Sequence, residues 1–154
     1  MTYRPGRHIY FAAGFFSPRQ RDLCDFVESL EVLPDMPIYS PRTDGGVLKP
    51  DSSTEEIKET FESNKVAIET SVFVLAVVDD FDPGVIWEMG YAHAKGKAIL
   101  AFSEVEGRTL NVMLAGACPL GFIVGRPELK RVLKKFNGWN DDALPYNTWS
   151  GEIQ

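Results

Sequence analysis

Cysteine is scarce. The 154 residues hold two, Cys24 and Cys118, in no Cys-x-x-Cys spacing. Two cysteines build no disulfide framework and that spacing no zinc site, so a reducing, cytoplasmic setting is expected. Histidine is as scarce: His8 and His93 are the two, and neither is placed like a catalytic base. No apolar run approaches the roughly 20 residues that cross a bilayer, so no membrane partner is expected. The opening MTYRPGRHIYFAAGFF lacks the apolar h-region of a leader and reads better as a first buried strand. The glycines nowhere form Gly-x-Gly-x-x-Gly, which leaves Ala12-Ala13-Gly14 a weak phosphate loop. Positive charge is also short. The net charge of −6 argues against a nucleic-acid polymer as partner, though not against a nucleoside, which carries no phosphate. The basic residues that do gather, Lys130, Arg131, Lys134 and Lys135, have the spacing of a solvated helix face.

What the chain does have is concentrated between Val72 and Lys95, VFVLAVVDDFDPGVIWEMGYAHAK. The unbroken apolar run Val72 to Val78 is strand length and rich in β-branched residues, which predicts a strand buried on both faces. Three carboxylates follow, Asp79, Asp80 and Asp82. Pro83-Gly84 turns the chain, and Val85 to Lys95 reads as a helix with Glu88 near its start. Ligands of open α/β sheets bind at the carboxyl ends of the strands, which is where these acids fall. A carboxylate at a helix start is often no more than a favourable charge for the helix dipole. Glu88, however, is framed by Val85, Ile86, Trp87 and Met89, and a carboxylate held among apolar groups is poorly solvated and more reactive. Such a group can attack an anomeric carbon and hold a sugar as an ester.

Along the rest of the chain strands alternate with helices. Strands are expected at His8 to Ala13, Met36 to Tyr39, Ala98 to Ser103 and Leu120 to Val124, besides the run at Val72. Helices are expected from Ser17-Pro18 to about Leu30, from a Thr54 cap to about Thr70, from Leu110 to Ala115 and from Arg126 to Phe136. On the second of these, Ile57, Phe61, Asn64 and Ile68 share a stripe. Ser40 to Ser53 reads as a loop, long enough to be a lid or binding loop. This pattern predicts one α/β domain over residues 1–154, flavodoxin-like or Rossmann-like, with a five-stranded parallel sheet and helices on both faces. Residues 137–154, with Trp139, Pro145, Tyr146 and Trp149, read as an irregular tail that packs on the body or on a neighbouring subunit.

Three segments together resemble the nucleoside 2-deoxyribosyltransferase family. They are Ile9-Tyr10-Phe11-Ala12-Ala13-Gly14-Phe15-Phe16, then Asp82-Pro83-Gly84 followed by Glu88-Met89-Gly90-Tyr91-Ala92, then Gly107-Arg108-Thr109-Leu110-Asn111-Val112-Met113. They lie in the family's order and span nearly the whole chain. The resemblance implies Glu88 as nucleophile, Tyr10 as the hydroxyl that orients it, and Asp82 as ligand of a sugar hydroxyl. It implies Asn111 as ligand of the 5′-hydroxyl, reaching across from a neighbouring subunit with Met113 close by. It also makes Gln154 of interest, because the extreme C-terminus lies near the base pocket in some members. The implied substrates are 2′-deoxynucleosides and free purine or pyrimidine bases. The implied assembly is a homo-oligomer, a hexamer built from dimers. No cofactor and no metal are called for.

Each role has a plainer alternative. Asp82 can cap the helix start, Tyr10 can be a core aromatic, Asn111 can cap a short helix, and Asp79 and Asp80 read as solvated loop residues. Phe15 and Phe16 can stack a flat base or merely close the core edge, and Gly14 lets backbone approach a ligand. Asn64 is the departure. Some members carry an Asp at the matching position, and an amide cannot donate the proton a leaving base needs. Asn64 can still hydrogen-bond a base edge. The proton then comes from another acid, for which Asp44 in the long loop is a candidate, or from water, and its neighbours Arg42 and Thr43 could also touch the base. Arg19 and Arg21 could serve a phosphate, though a helix-surface role fits them better. The rival readings are an N-glycoside hydrolase of 2′-deoxynucleosides or nucleoside 5′-monophosphates on the same fold, and a nucleoside- or nucleotide-binding module without turnover.

Overall fold

A computed structural model describes residues 6–30 and 36–136, and the backbone of 152–153. The expected buried strand forms as β3 (Phe73–Val77), with every residue buried. On one side of it lies β1 (Ile9–Ala12), then β2 (Ile38–Tyr39); on the other lie β4 (Ile99–Ser103) and the last strand of this sheet, Gly121–Val124. Counting the two-residue strand Thr109–Leu110 as β5 makes that last strand β6, and the sheet order is β2-β1-β3-β4-β6, parallel throughout. This is the flavodoxin-like order the alternation of elements predicts.

Side chains alternate across the sheet, so each strand feeds two cores. Ile9, Phe11, Phe73, Leu75, Leu100 and Phe102 face α1 (Pro18–Glu28) and the helix Arg126–Lys135. Tyr10, Ala12, Val74, Ala76, Ile99 and Ala101 face the helices of the other side, chiefly Thr54–Glu69 and Pro83–Ala94. In chain order the helices are α1, α2 (Pro41–Asp44), α3 (Thr54–Glu69), α4 (Pro83–Ala94), α5 (Val112–Gly116) and α6 (Arg126–Lys135).

Several boundaries differ from expectation for local reasons. Ser53, not Thr54, caps α3: its hydroxyl accepts from Glu56 N at 3.1 Å while the Glu56 carboxylate takes Ser53 N at 2.9 Å. That capping box needs Ser and Glu three apart, which moves Thr54 to the first helical position. α1 starts as expected, with the same reciprocal pair between Ser17 and Gln20. The Ser40 to Ser53 stretch is not all loop; its first turn is α2, behind Pro41. The stripe on α3 is buried only at its far end. Ile68 is fully covered while Ile57 and Phe61 are about half exposed. The strand β7 (Glu152–Ile153) pairs in parallel with β5 to make a second, two-stranded sheet that no periodic pattern announces. Trp139, Pro145, Tyr146, Trp149 and Gln154 lie outside the described residues.

Candidate active site

β1 has β2 on one side and β3 on the other, so the chain diverges at their carboxyl ends and leaves a crevice there. A cleft of about 690 Å³ occupies this position, with Glu88 and Asp82 among its lining. Gly14, Phe15 and Phe16, just past β1, form one wall, and Val47 and Leu48 from the long connection form another. Thr60 and Asn64 of α3 close one end.

Glu88 lies in the second turn of α4 and is partly buried. Loss of solvent pushes its carboxyl up to about 8; the Tyr10 hydroxyl opposes this, and the negative charge of Asp82 adds to it. Tyr10 is wholly buried in β1, and its hydroxyl makes no well-formed hydrogen bond among the described residues. It nevertheless lies near enough to the Glu88 carboxylate for each to perturb the other. Burial first, and then Glu88, hold the phenol far above its ordinary range, so it stays protonated and able to donate.

Asp82 is both a cap and a cleft residue. Its Oδ1 accepts from Gly84 N at 2.9 Å and Val85 N at 3.1 Å, which starts α4. Its Oδ2 accepts no hydrogen bond from the described residues and lies against Gly14. A Cβ on Gly14 would stand 3.3 Å from Oδ2 and would collide with the Gln20 amide nitrogen, so a side chain here would displace the Gln20 amide and crowd Asp82. Phe15 and Phe16 stack on each other with centroids 4.7 Å apart, and Phe16 is 73% exposed at the mouth.

Asn64 accepts from the Tyr39 hydroxyl at 3.0 Å. Tyr39, at the end of β2, stacks on Tyr10 with centroids 5.5 Å apart. A packed pair of tyrosines thus joins the Asn64 end of the cleft to the Glu88 end. Sequence reasoning missed Tyr39, whose position follows from the register that sets it beside Tyr10.

Other residues singled out in the sequence lie elsewhere. Asp44 is exposed and does not line the cleft; its carboxylate accepts from Ser40 N at 2.8 Å and closes α2 on itself. Arg42 is turned away, paired with Glu28 and Asp25 of α1. Asp79 is not a solvated loop residue but 3% exposed, and accepts from the Ser103 hydroxyl and from Glu104 N. Asp80 is exposed and pairs with Arg19 at 3.1 Å. Asn111 caps α5, its Oδ1 accepting from Met113 N at 2.9 Å. Neither Asn111 nor Met113 lines the cleft, and Met113 is 79% exposed. Among the described residues no group of three or more His, Cys, Asp or Glu is placed to hold a metal ion. No helix among them is long and apolar enough to cross a membrane.

The model of a protein family, Nucleoside 2-deoxyribosyltransferase, matches residues 9–138. Among solved structures, that of a 2-deoxyribosyltransferase from the psychrotolerant bacterium Bacillus psychrosaccharolyticus is similar at a TM-score of 0.73 and 22% identity, covering 91% of this chain and 97% of the other. A conserved protein from Enterococcus faecalis V583 is similar at a TM-score of 0.68 and 20% identity, covering 83% of this chain and 97% of the other. At such identities these two likenesses establish the fold. Comparison with curated proteins returns no match.

Proposed function

Because the chain belongs to the nucleoside 2-deoxyribosyltransferase family, we propose that it exchanges the base of 2′-deoxynucleosides by double displacement through Glu88. The observation that carries this reading is Glu88 in the cleft at the topological switch point, with Tyr10 buried behind it. In the first step an Oε of ionised Glu88 bonds to C1′ while the C1′–N bond breaks. The electron pair leaves with the base, which takes a proton. In the second step a nitrogen of the incoming base attacks C1′ on the vacated side. It expels the Glu88 carboxylate and gives up its own proton. Two inversions at C1′ leave the configuration retained.

Tyr10 donates to the Glu88 carboxylate and keeps it aimed. Asp82, which lines the cleft and whose Oδ2 accepts no hydrogen bond from the described residues, binds a sugar hydroxyl. Phe15 and Phe16 give the base a stacking face, and Asn64 hydrogen-bonds its edge. Asn64 cannot supply a carboxylic proton, so in this reading the leaving base takes its proton from water. The reaction calls for no cofactor. Asn111 and Met113 serve a neighbouring subunit's cleft in a homo-oligomer, a hexamer built from dimers. Their exposure away from their own cleft supports this, as do the half-exposed Phe61 and Trp87. Two free, buried cysteines fit a cytoplasmic setting.

A second reading, hydrolysis of nucleoside 5′-monophosphates, has one observation in its favour: Arg21 lines the cleft, with its guanidinium held by the Phe16 carbonyl at 2.8 Å. Incubation with thymidine or deoxyinosine plus free adenine separates the two. Deoxyadenosine from the wild type and none from Glu88→Ala supports transfer. Free base and deoxyribose 5-phosphate from 2′-deoxynucleoside 5′-monophosphates supplied in their place, without deoxyadenosine from the nucleosides, supports the hydrolase. Inertness toward these donors and toward deoxynucleotides supports a binding module.

A further inference from the structure

The turn between β3 and α4 holds Phe81 at φ +46°, the one non-glycine residue of positive φ among the described residues. A bulky side chain in the left-handed region is strained, and it persists only where its surroundings over-determine it. The next residue is Asp82, so the Phe81 backbone sets where the Asp82 carboxylate points. On one side of Phe81, the Asp79 carboxylate is buried and accepts from Ser103 and from Glu104 N. Arg108 stands against this turn. Its Nε is 4.0 Å from Asp79 Oδ1, and its guanidinium lies over the Phe81 ring at 5.5 Å from the centroid. That Nε is itself buried and makes no hydrogen bond among the described residues. The other tie on the turn, Arg19 to Asp80, joins two side chains that are each nearly half exposed, so solvent weakens it.

We propose that Arg108 is a positioning residue for Asp82: by pairing its charge with Asp79 and lying over the Phe81 ring it holds the strained turn that keeps the Asp82 carboxylate beside Gly14 at the cleft. Without the grip Phe81 relaxes toward an ordinary backbone region, the following peptide rotates, and Asp82 moves off the cleft. The effect on turnover rests on the proposed role of Asp82 toward the sugar; the positioning itself does not.

The test therefore reads geometry and activity separately. The groups whose charge or hydrogen bonding bears on Glu88 are Tyr10 and Asp82, and Asp82 holds the Glu88 carboxyl up. Removing a nearby cation would by itself raise the Glu88 midpoint further. Loss of the clamp carries Asp82 away and lowers it. Titration of Glu88 by carboxyl ¹³C NMR in Arg108→Ala is expected to show a lowered midpoint, with no further lowering when Arg108→Ala is added to Asp82→Asn. Phe81→Leu keeps every charge but removes the ring face, and is expected to move Glu88 the same way by less. It also serves if Arg108→Ala does not fold. An unchanged or raised midpoint in a folded variant overturns the proposal.

For activity, Arg108→Ala is expected to lower kcat/KM on a 2′-deoxynucleoside on the order of tenfold, as misplaced substrate contacts do. The loss should vanish on a 2′,3′-dideoxynucleoside donor, because Asn111 is assigned the 5′-hydroxyl and the 3′-hydroxyl is the one left for Asp82. An equal loss on both donors marks a merely structural role and overturns the proposal. A wild type inert on every donor overturns the proposed function, while the titration still decides the clamp.

Discussion

Glu88 combines two demands that pull against each other. The proposed nucleophile must be ionised, yet burial pushes this carboxyl up to about 8. kcat/KM, which reports the free enzyme, should therefore rise with pH through a limb near 8. The neighbours should move that limb in opposite directions. The Tyr10 hydroxyl beside it favours the ionised form, so Tyr10→Phe should raise the limb. Asp82 repels the ionised form, so Asp82→Asn should lower it. Profiles that move together, or not at all, would contradict the arrangement. Stability should show the same tension. The fold favours the protonated Glu88, a contribution complete below the ordinary 4.5 and lost as pH rises through about 8. Glu88→Gln should accordingly gain on the wild type between pH 5 and pH 9 by more than about 1 kcal/mol, read from urea midpoints at both values. Glu88 was visible in the sequence because its apolar frame and strand-end acids are local. Tyr39 was not, because its neighbours Tyr10 and Asn64 are 29 and 25 residues away in the chain and meet it only once β1 and β2 pair.

At the scale of elements, the caps decide boundaries. Ser53→Ala should cost about 1 kcal/mol by loss of the α3 capping box, whereas Thr54→Ala, one residue on, should stay within about 0.5 kcal/mol. Urea denaturation of both variants checks which residue starts the helix. The long strands were legible because parallel strands buried on both faces are continuous apolar runs. β5, β7 and α2 were not: two to four residues carry no period. The α3 stripe misled for a different reason. Its apolar spacing is helical, but the sheet ends before the helix does, and Ile57 and Phe61 are left for solvent or for another surface.

The whole molecule places its cleft where the strand order diverges, and only part of the expected site surrounds it. Glu88, Asp82, Asn64, Gly14, Phe15 and Phe16 line the cleft, with Tyr10 buried beside it. Asn111 and Met113 face outward on β5–α5. If neighbouring subunits share sites as proposed, Glu88→Ala and Asn111→Ala proteins that are each nearly inactive should regain activity when unfolded together and reassembled, because some clefts then receive both intact residues. A mixture no more active than its parts would mean that Asn111 serves its own subunit or none. The sequence pattern could place the strands, helices and sheet order, since these follow from periodicity and chain connection. It could not say which surfaces face a neighbour, since that depends on shapes formed only after folding.

The most direct measurement is the mass of the protein itself. Acid-quenched during turnover of a 2′-deoxynucleoside, the wild type should carry one deoxyribosyl group, mapped by peptide digestion to Glu88 and absent from Glu88→Ala. Turnover at full rate with no adduct, and with Glu88→Ala still active, would contradict the covalent mechanism and return Glu88 to the role of a buried helix-start carboxylate.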